Sequence, residues 1–233
     1  MKRYVRPAVT VAVLLALILL FSTAASAHNV SKRDAAFVQS NHGSAIPAFM
    51  YLGAKHMVTG YDHLAFLVGV IFFLYRLKDI VRYVSLFTVG HSITLLAGVL
   101  GGFHANPYVI DAIIGFSVVY KAFDNIDGFQ RFLGFQPNTR IAVLVFGLFH
   151  GFGLATKLQE LDLAKNGLVT NIVSFNVGVE IGQVVALTAV LIALSAWRTR
   201  SGFVRHAFAT NVALMTVGFL LTGYQIGGYY LAH

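Results

Sequence analysis

The chain has 233 residues, of which 57% are hydrophobic and only 11% charged, with no Cys and a formal charge of +8. A mean hydropathy of +0.73 excludes an ordinary soluble domain and points to an integral membrane protein. No polar stretch is long enough to fold as a separate catalytic module, so one membrane domain with short connections is expected.

Residues 1–27 read as a cleavable secretory signal. Lys2, Arg3 and Arg6 form its charged end, Val9 to Phe21 its apolar run, and Ala25-Ser26-Ala27 a small-residue cleavage site. An uncleaved seventh helix is the alternative, but the run is short for a span. Losing the three basic residues would bring the charge from +8 to +5, so the basicity belongs to loops and nucleic acid is not an expected partner. Residues 28–45 form a short polar extracytoplasmic segment whose His28 and His42 are read as solvated. Residues 46–233 then form an all-α, polytopic transmembrane helix bundle of six spans, at 46–75, 80–100, 107–125, 139–157, 169–197 and 203–231.

With the mature N-terminus outside, the inner loops hold Arg76, Lys78, Arg82, Lys121, Arg131, Arg140, Arg198, Arg200 and Arg205. The outer ones hold Lys32, Arg33, Lys55, Lys157 and Lys165. That asymmetry predicts a bacterial-type inner (cytoplasmic) membrane protein with an extracytoplasmic N-terminus.

Ionisable residues inside such spans cost several kcal/mol each and need partners, water or an ion. The first span carries His56, Asp62 and His63, an H-x5-D-H element. At ~1.5 Å per residue, His63 lies about 18 Å from the inner end of its span, and His91 and His150 about 16 Å from theirs. Glu180, about 16 Å from the outer end of the fifth span, is expected near the same layer. His56, Gly60 and His63 share one helix face, as do Asn176, Glu180 and Gln183. Ser117, Tyr120 and Asp124 make a third stripe towards the inner end of the third span. Asp111 sits where it could guard the outer mouth or cap its helix.

Neutral imidazole and carboxylate suit Ni(II), Co(II), Zn(II) or Cu(II), while the lack of Cys and the four Met argue against a Cu(I) site. The predicted metal set is therefore His56, Asp62, His63, His91, His150 and Glu180, with Asn176, Gln183, Asp111 and Asp124 as a secondary polar path. Gly90, Gly147, Gly151, Gly153, Gly178 and Gly182 flank these residues and would let backbones approach. No phosphate loop is present, since the run from Gly151 to Lys157 lacks the motif's second glycine, directly before the lysine, and a following Ser or Thr. Movement of a cation would be passive or coupled to protons. Phe87 to His91 and Phe146 to His150 repeat an F-x3-H spacing, hinting at an internal repeat of helix pairs.

The runs HMVTGYDHLAFLVG at 56–69, FTVGHSITLLAG at 87–98, SVVYKAFDN at 117–125, FGLFHGFGLA at 146–155 and FNVGVEIGQ at 175–183 resemble the HupE/UreJ membrane proteins, in order and over nearly the whole mature chain. The resemblance implies a nickel permease or facilitator associated with maturation of nickel hydrogenase and urease, with metalloenzyme-maturation proteins as partners. It implicates His56, Asp62, His63 and His150 in handling the metal. The better-known branch carries a second histidine and an acidic residue after F-H-G, whereas here Gly151 is followed by Phe152, Gly153, Leu154 and Ala155. The G-H-S-I-T and F-N-x-G-V-E-x-G-Q elements place the chain nearer a second branch, for which His91 and Glu180 would substitute.

The expected function is transport or facilitation of a divalent metal, nickel first, with Co, Zn or Cu as alternatives and no tightly bound cofactor. Two other readings stay open: a membrane-embedded metal-dependent hydrolase, and an accessory protein that binds metal without transporting it. Neither a G-x-S-x-G elbow nor an H-E-x-x-H helix is present to favour the hydrolase.

Overall fold

The computed structural model describes residues 32–40, 43–160 and 165–232, which are helical with no strand among them. The expected signal sequence over 1–27, His28 and His42 lie outside the described residues. In chain order the helices are α1 (Lys32–Ser40), α2 (Ile46–Thr59), α3 (Tyr61–Ile71), α4 (Leu77–Gly101), α5 (Pro107–Asn125), α6 (Gly128–Leu133), α7 (Thr139–Gln159), α8 (Leu168–Arg198) and α9 (Phe203–Leu231).

Local chemistry sets the helix ends. Asn106 and Asn138 cap α5 and α7, their side-chain oxygens accepting backbone N–H groups from Tyr108 and Val109, and from Arg140 and Ile141. Asp111 is therefore not the cap of α5; that role belongs to Asn106, followed by Pro107 at the first helical position. Asn171 joins two helix starts: Oδ1 accepts from Ala45 N at 2.8 Å ahead of α2, and Nδ2 donates to Gly43 O at 2.9 Å. At the other end, Arg198 of α8 donates to Ile71 O and Phe72 O at 2.6 Å each, satisfying carbonyls at the end of α3.

Among the described residues four helices, α4, α7, α8 and α9, are long and apolar enough to cross a membrane. The expected third span coincides with α5, whose Asp111, Lys121 and Asp124 dilute its apolar character. The expected first span is broken into α2 and α3 at Gly60, where ψ turns to +86°. Gly60 N–H still bonds His56 O at 2.7 Å and Leu64 N–H bonds Gly60 O at 3.0 Å, so the chain bends with the ladder intact on both flanks.

Glycine contacts show how the helices run. Gly178 and Gly182 of α8 face Met50 and Ala54 of α2, and Gly147 and Gly151 of α7 face Phe87 and His91 of α4; the constant offsets make both pairs parallel. Gly115 of α5 meets Thr222 of α9 while Gly218 meets Val119, an antiparallel pair. Outward positions carry large apolar side chains, such as Val89, Ile93, Val184, Val185, Ile192, Phe208 and Phe219, whereas Asp62, His63, His91, His150, Gln183 and Asn211 are buried. Apolar outside and polar inside is the arrangement of a protein solvated by lipid, and the chain is a multi-pass membrane protein.

Candidate metal centre

The break at Gly60 is where the H-x5-D-H element does its folding work. His56 lies on the last turn of α2, Asp62 and His63 on the first turn of α3. A Cβ at position 60 would stand 2.9 Å from His56 O and 3.3 Å from His63 Nδ1, so glycine lets the two turns close on one another. The imidazoles of His56 and His63 then meet edge to face with centroids 5.2 Å apart.

His63 is the hub of the cluster. Its ring centroid is 4.7 Å from that of His150 on α7 and 5.7 Å from that of His91 on α4. The parallel seam between α4 and α7 brings these rings in, because Gly90 allows its backbone to within van der Waals range of Leu144 and Leu148. Thr94 locks the seam by donating to Leu148 O at 2.6 Å. Four histidines from four helices thus meet in one layer, three of them almost fully buried.

Hydrogen bonds select which ring nitrogen carries the proton. His63 Nδ1–H donates to the Asp62 carboxylate at 3.0 Å, and His150 Nδ1–H donates to Phe146 O at 2.7 Å. A carbonyl or carboxylate oxygen can only accept, which places the proton on Nδ1 and leaves the lone pair on Nε2. His63 Nε2 is buried with no hydrogen-bond partner. At His91 the Asn176 side chain is the polar neighbour, and both ring nitrogens are buried without a hydrogen bond of normal geometry. Buried imidazole nitrogens left in this condition suit a Lewis-acidic guest.

The fit to a divalent ion has two sides. Imidazoles sharing one tetrahedral ion through ~2.0 Å bonds hold their ring centroids roughly 5 Å apart, which the distances around His63 match. The donor atoms themselves are not gathered, since among the described residues no three His, Asp or Glu form a ready coordination group. Ring rotations at nearly fixed centroids are what binding would require. Asp62 stands behind His63 as the carboxylate that fixes its tautomer.

Other expected residues fall elsewhere. Glu180 is exposed on α8 and does not join the histidines. Gly178 and Gly182 face α2, and two residues along a helix is a rotation of about 200°, so Glu180 points away from the bundle. Its stripe-mates are inside: Gln183 is buried and bonds Thr88 Oγ1 at 3.0 Å, and Asn176 donates to Ser92 Oγ at 2.8 Å. Asp111 is paired with Lys157 across α5 and α7 at 2.9 Å rather than standing open at a mouth. Asp124 is paired with Lys121 at 2.5 Å and accepts from Gln136 as well. Lys121, counted above among loop charges, is buried against Gly69. Asn125, bonded to Gly69 O and to Asn211 at 2.8 Å each, was not anticipated either; a lone amide in an apolar segment, such as Asn211, is the signal that could have found this network.

No curated protein and no solved structure matches the chain. A family model described as HupE / UreJ protein matches residues 32–233. That match takes in every residue of the cluster, and the chain belongs to the HupE/UreJ family.

Proposed function

We propose that this protein transports or facilitates the movement of a divalent transition-metal cation, nickel in the first place, through the cluster of His56, His63, His91 and His150. The observation that carries the reading is the meeting of four imidazoles from α2, α3, α4 and α7 around His63 in the bundle interior, with Asp62 and Phe146 O holding two of them as Nδ1–H tautomers. Neutral imidazole nitrogen is a ligand for Ni(II), Co(II), Zn(II) and Cu(II), and the absence of thiols removes the soft donors that would favour Cu(I).

In this reading the cation sheds water as it enters the layer and exchanges it for Nε2 atoms, while Asp62 compensates charge through His63. Membrane potential supplies about 2.3 kcal/mol per charge per 100 mV, enough to drive a dication inward without ATP. The six-span topology with an extracytoplasmic N-terminus and residence in the inner membrane belong to the same proposal. So does delivery towards metalloenzyme-maturation partners on the cytoplasmic side.

The test is flux. Purified full-length protein in sealed vesicles, with a metal-quenched dye inside, should carry nickel faster than protein-free vesicles, and comparison with cobalt, zinc and copper should rank the cargo. His63→Ala should abolish the flux while the protein still inserts. Nickel binding without crossing would instead assign the chain an accessory role, and product release from lipid only when metal is bound would favour a hydrolase.

A further inference from the structure

Each of the three innermost histidines has a phenylalanine one turn away on its own helix, and all three phenylalanines lie on the same side of the histidine layer. On the parallel helices α4 and α7, Phe87 and Phe146 precede His91 and His150 by four residues. On α3, which runs the other way, Phe66 follows His63 by three. The rings converge: Phe66 lies 5.6 Å from Phe87 and 5.6 Å from Phe146, and Phe66 and Phe87 lie 5.4 and 5.1 Å from His150. Phe66 and Phe87 are fully buried, and Phe146 nearly so.

Beyond these rings the polar interior resumes. Tyr120 packs on Phe146 at 5.1 Å, and past it come the Lys121–Asp124 pair with Gln136, and Asn125 with Asn211. A buried aromatic layer therefore separates two polar layers of one bundle. A hydrated or imidazole-bound cation cannot cross such a layer without displacing a ring, because none of its atoms can replace lost ligands.

We propose that Phe66, Phe87 and Phe146 form the barrier closing the histidine site on the Lys121 side, and that Phe146 is its moving member. This rests on the transport reading above. Phe146 is singled out because it is the least enclosed of the three and its own carbonyl holds the Nδ1 proton of His150. Occupation of His150 and the position of the ring are thereby linked through one residue's backbone.

The experiment uses the full chain in sealed vesicles, with nickel chloride as the probe cation and potassium as a cation that imidazoles do not hold. Phe146→Leu, Phe146→Val and Phe146→Ala leave the carbonyl in place and shrink the ring stepwise. Nickel influx should rise as the side chain shrinks, by about tenfold at alanine, with a potassium leak appearing there and nickel affinity in detergent staying within about twofold of wild type. The leucine and valine variants keep the series readable if alanine fails to fold. Influx that is flat or falls along the folded members, with no potassium leak, overturns the barrier. A potassium leak in the small variants with no nickel movement in any member keeps the barrier and removes the transport reading instead.

Discussion

Gly90→Ala is the sharpest probe of how the histidines are positioned. A Cβ there would lie 2.5 Å from Leu144 O, 2.9 Å from Leu148 N and 3.2 Å from Gly147 C, all backbone atoms of α7 with no flexible side chain to yield. Real Cβ contacts essentially never fall below 3.0 Å, so α4 and α7 must separate by at least 0.5 Å, and by about 0.9 Å to reach ordinary contact at 3.4 Å. The same opening stretches the Thr94–Leu148 bond from 2.6 Å towards the limit of a hydrogen bond. Overpacking of this kind costs about 1–3 kcal/mol and the weakened interhelical bond about 1 more. His91 is the next residue and moves with the helix, away from His63 and His150. A site whose ligands must be held to about 0.5 Å should then lose affinity for nickel by roughly 10–100-fold. The assay pairs thermal unfolding in detergent with equilibrium nickel binding, and the control is Gly223→Ala, where a Cβ would meet nothing within 4 Å. The control should be neutral or slightly stabilised, since alanine is the better helix former by up to about 1 kcal/mol. If Gly90→Ala unfolds where wild type does and binds nickel as tightly, the glycine seam is not what positions the cluster.

Asp62→Asn should weaken nickel binding by about 10–100-fold with little change in unfolding temperature, because an amide no longer fixes the His63 tautomer as a carboxylate does; titration of purified protein checks it. Glu180→Gln should leave nickel affinity within about twofold, since the side chain faces away from the cluster; a large loss would mean the carboxylate reaches the site in another conformation. Lys157→Met strands the buried Asp111 carboxylate and should lower thermal stability by about 3–5 kcal/mol, with Asp111→Asn on the same background recovering most of it. Asp111→Asn alone should at most slow nickel influx, because its carboxylate is already occupied by Lys157.

Much of the candidate site is legible in the sequence. Ionisable residues stand out in hydrocarbon-spanning sequence because each is costly, and a fixed rise per residue puts His63, His91 and His150 at one depth whatever their neighbours. The all-helical class follows from continuous apolar runs of about 20 residues, the length of a spanning helix, which satisfies its backbone groups within the segment. Even the F-x3-H spacing was visible, although its meaning as an aromatic layer beneath an imidazole layer was not.

Rotation about the helix axis was the part that only packing decided. A segment apolar on nearly every side presents no face that is plainly the inner one, so depth is legible while direction is not. Glu180 and Gln183 illustrate this: they share a stripe, yet the glycines that seat α8 against α2 turn the first outward and leave the second buried. The break at Gly60 and the pairing of Lys121 with Asp124 and of Lys157 with Asp111 are likewise products of close approach between particular backbones. Sequence alone determined which chemical groups stand in apolar helical segments and how far along each helix they lie; the tertiary structure decided which of them face one another, because helix–helix contact through small residues sets azimuth and apolar solvent does not.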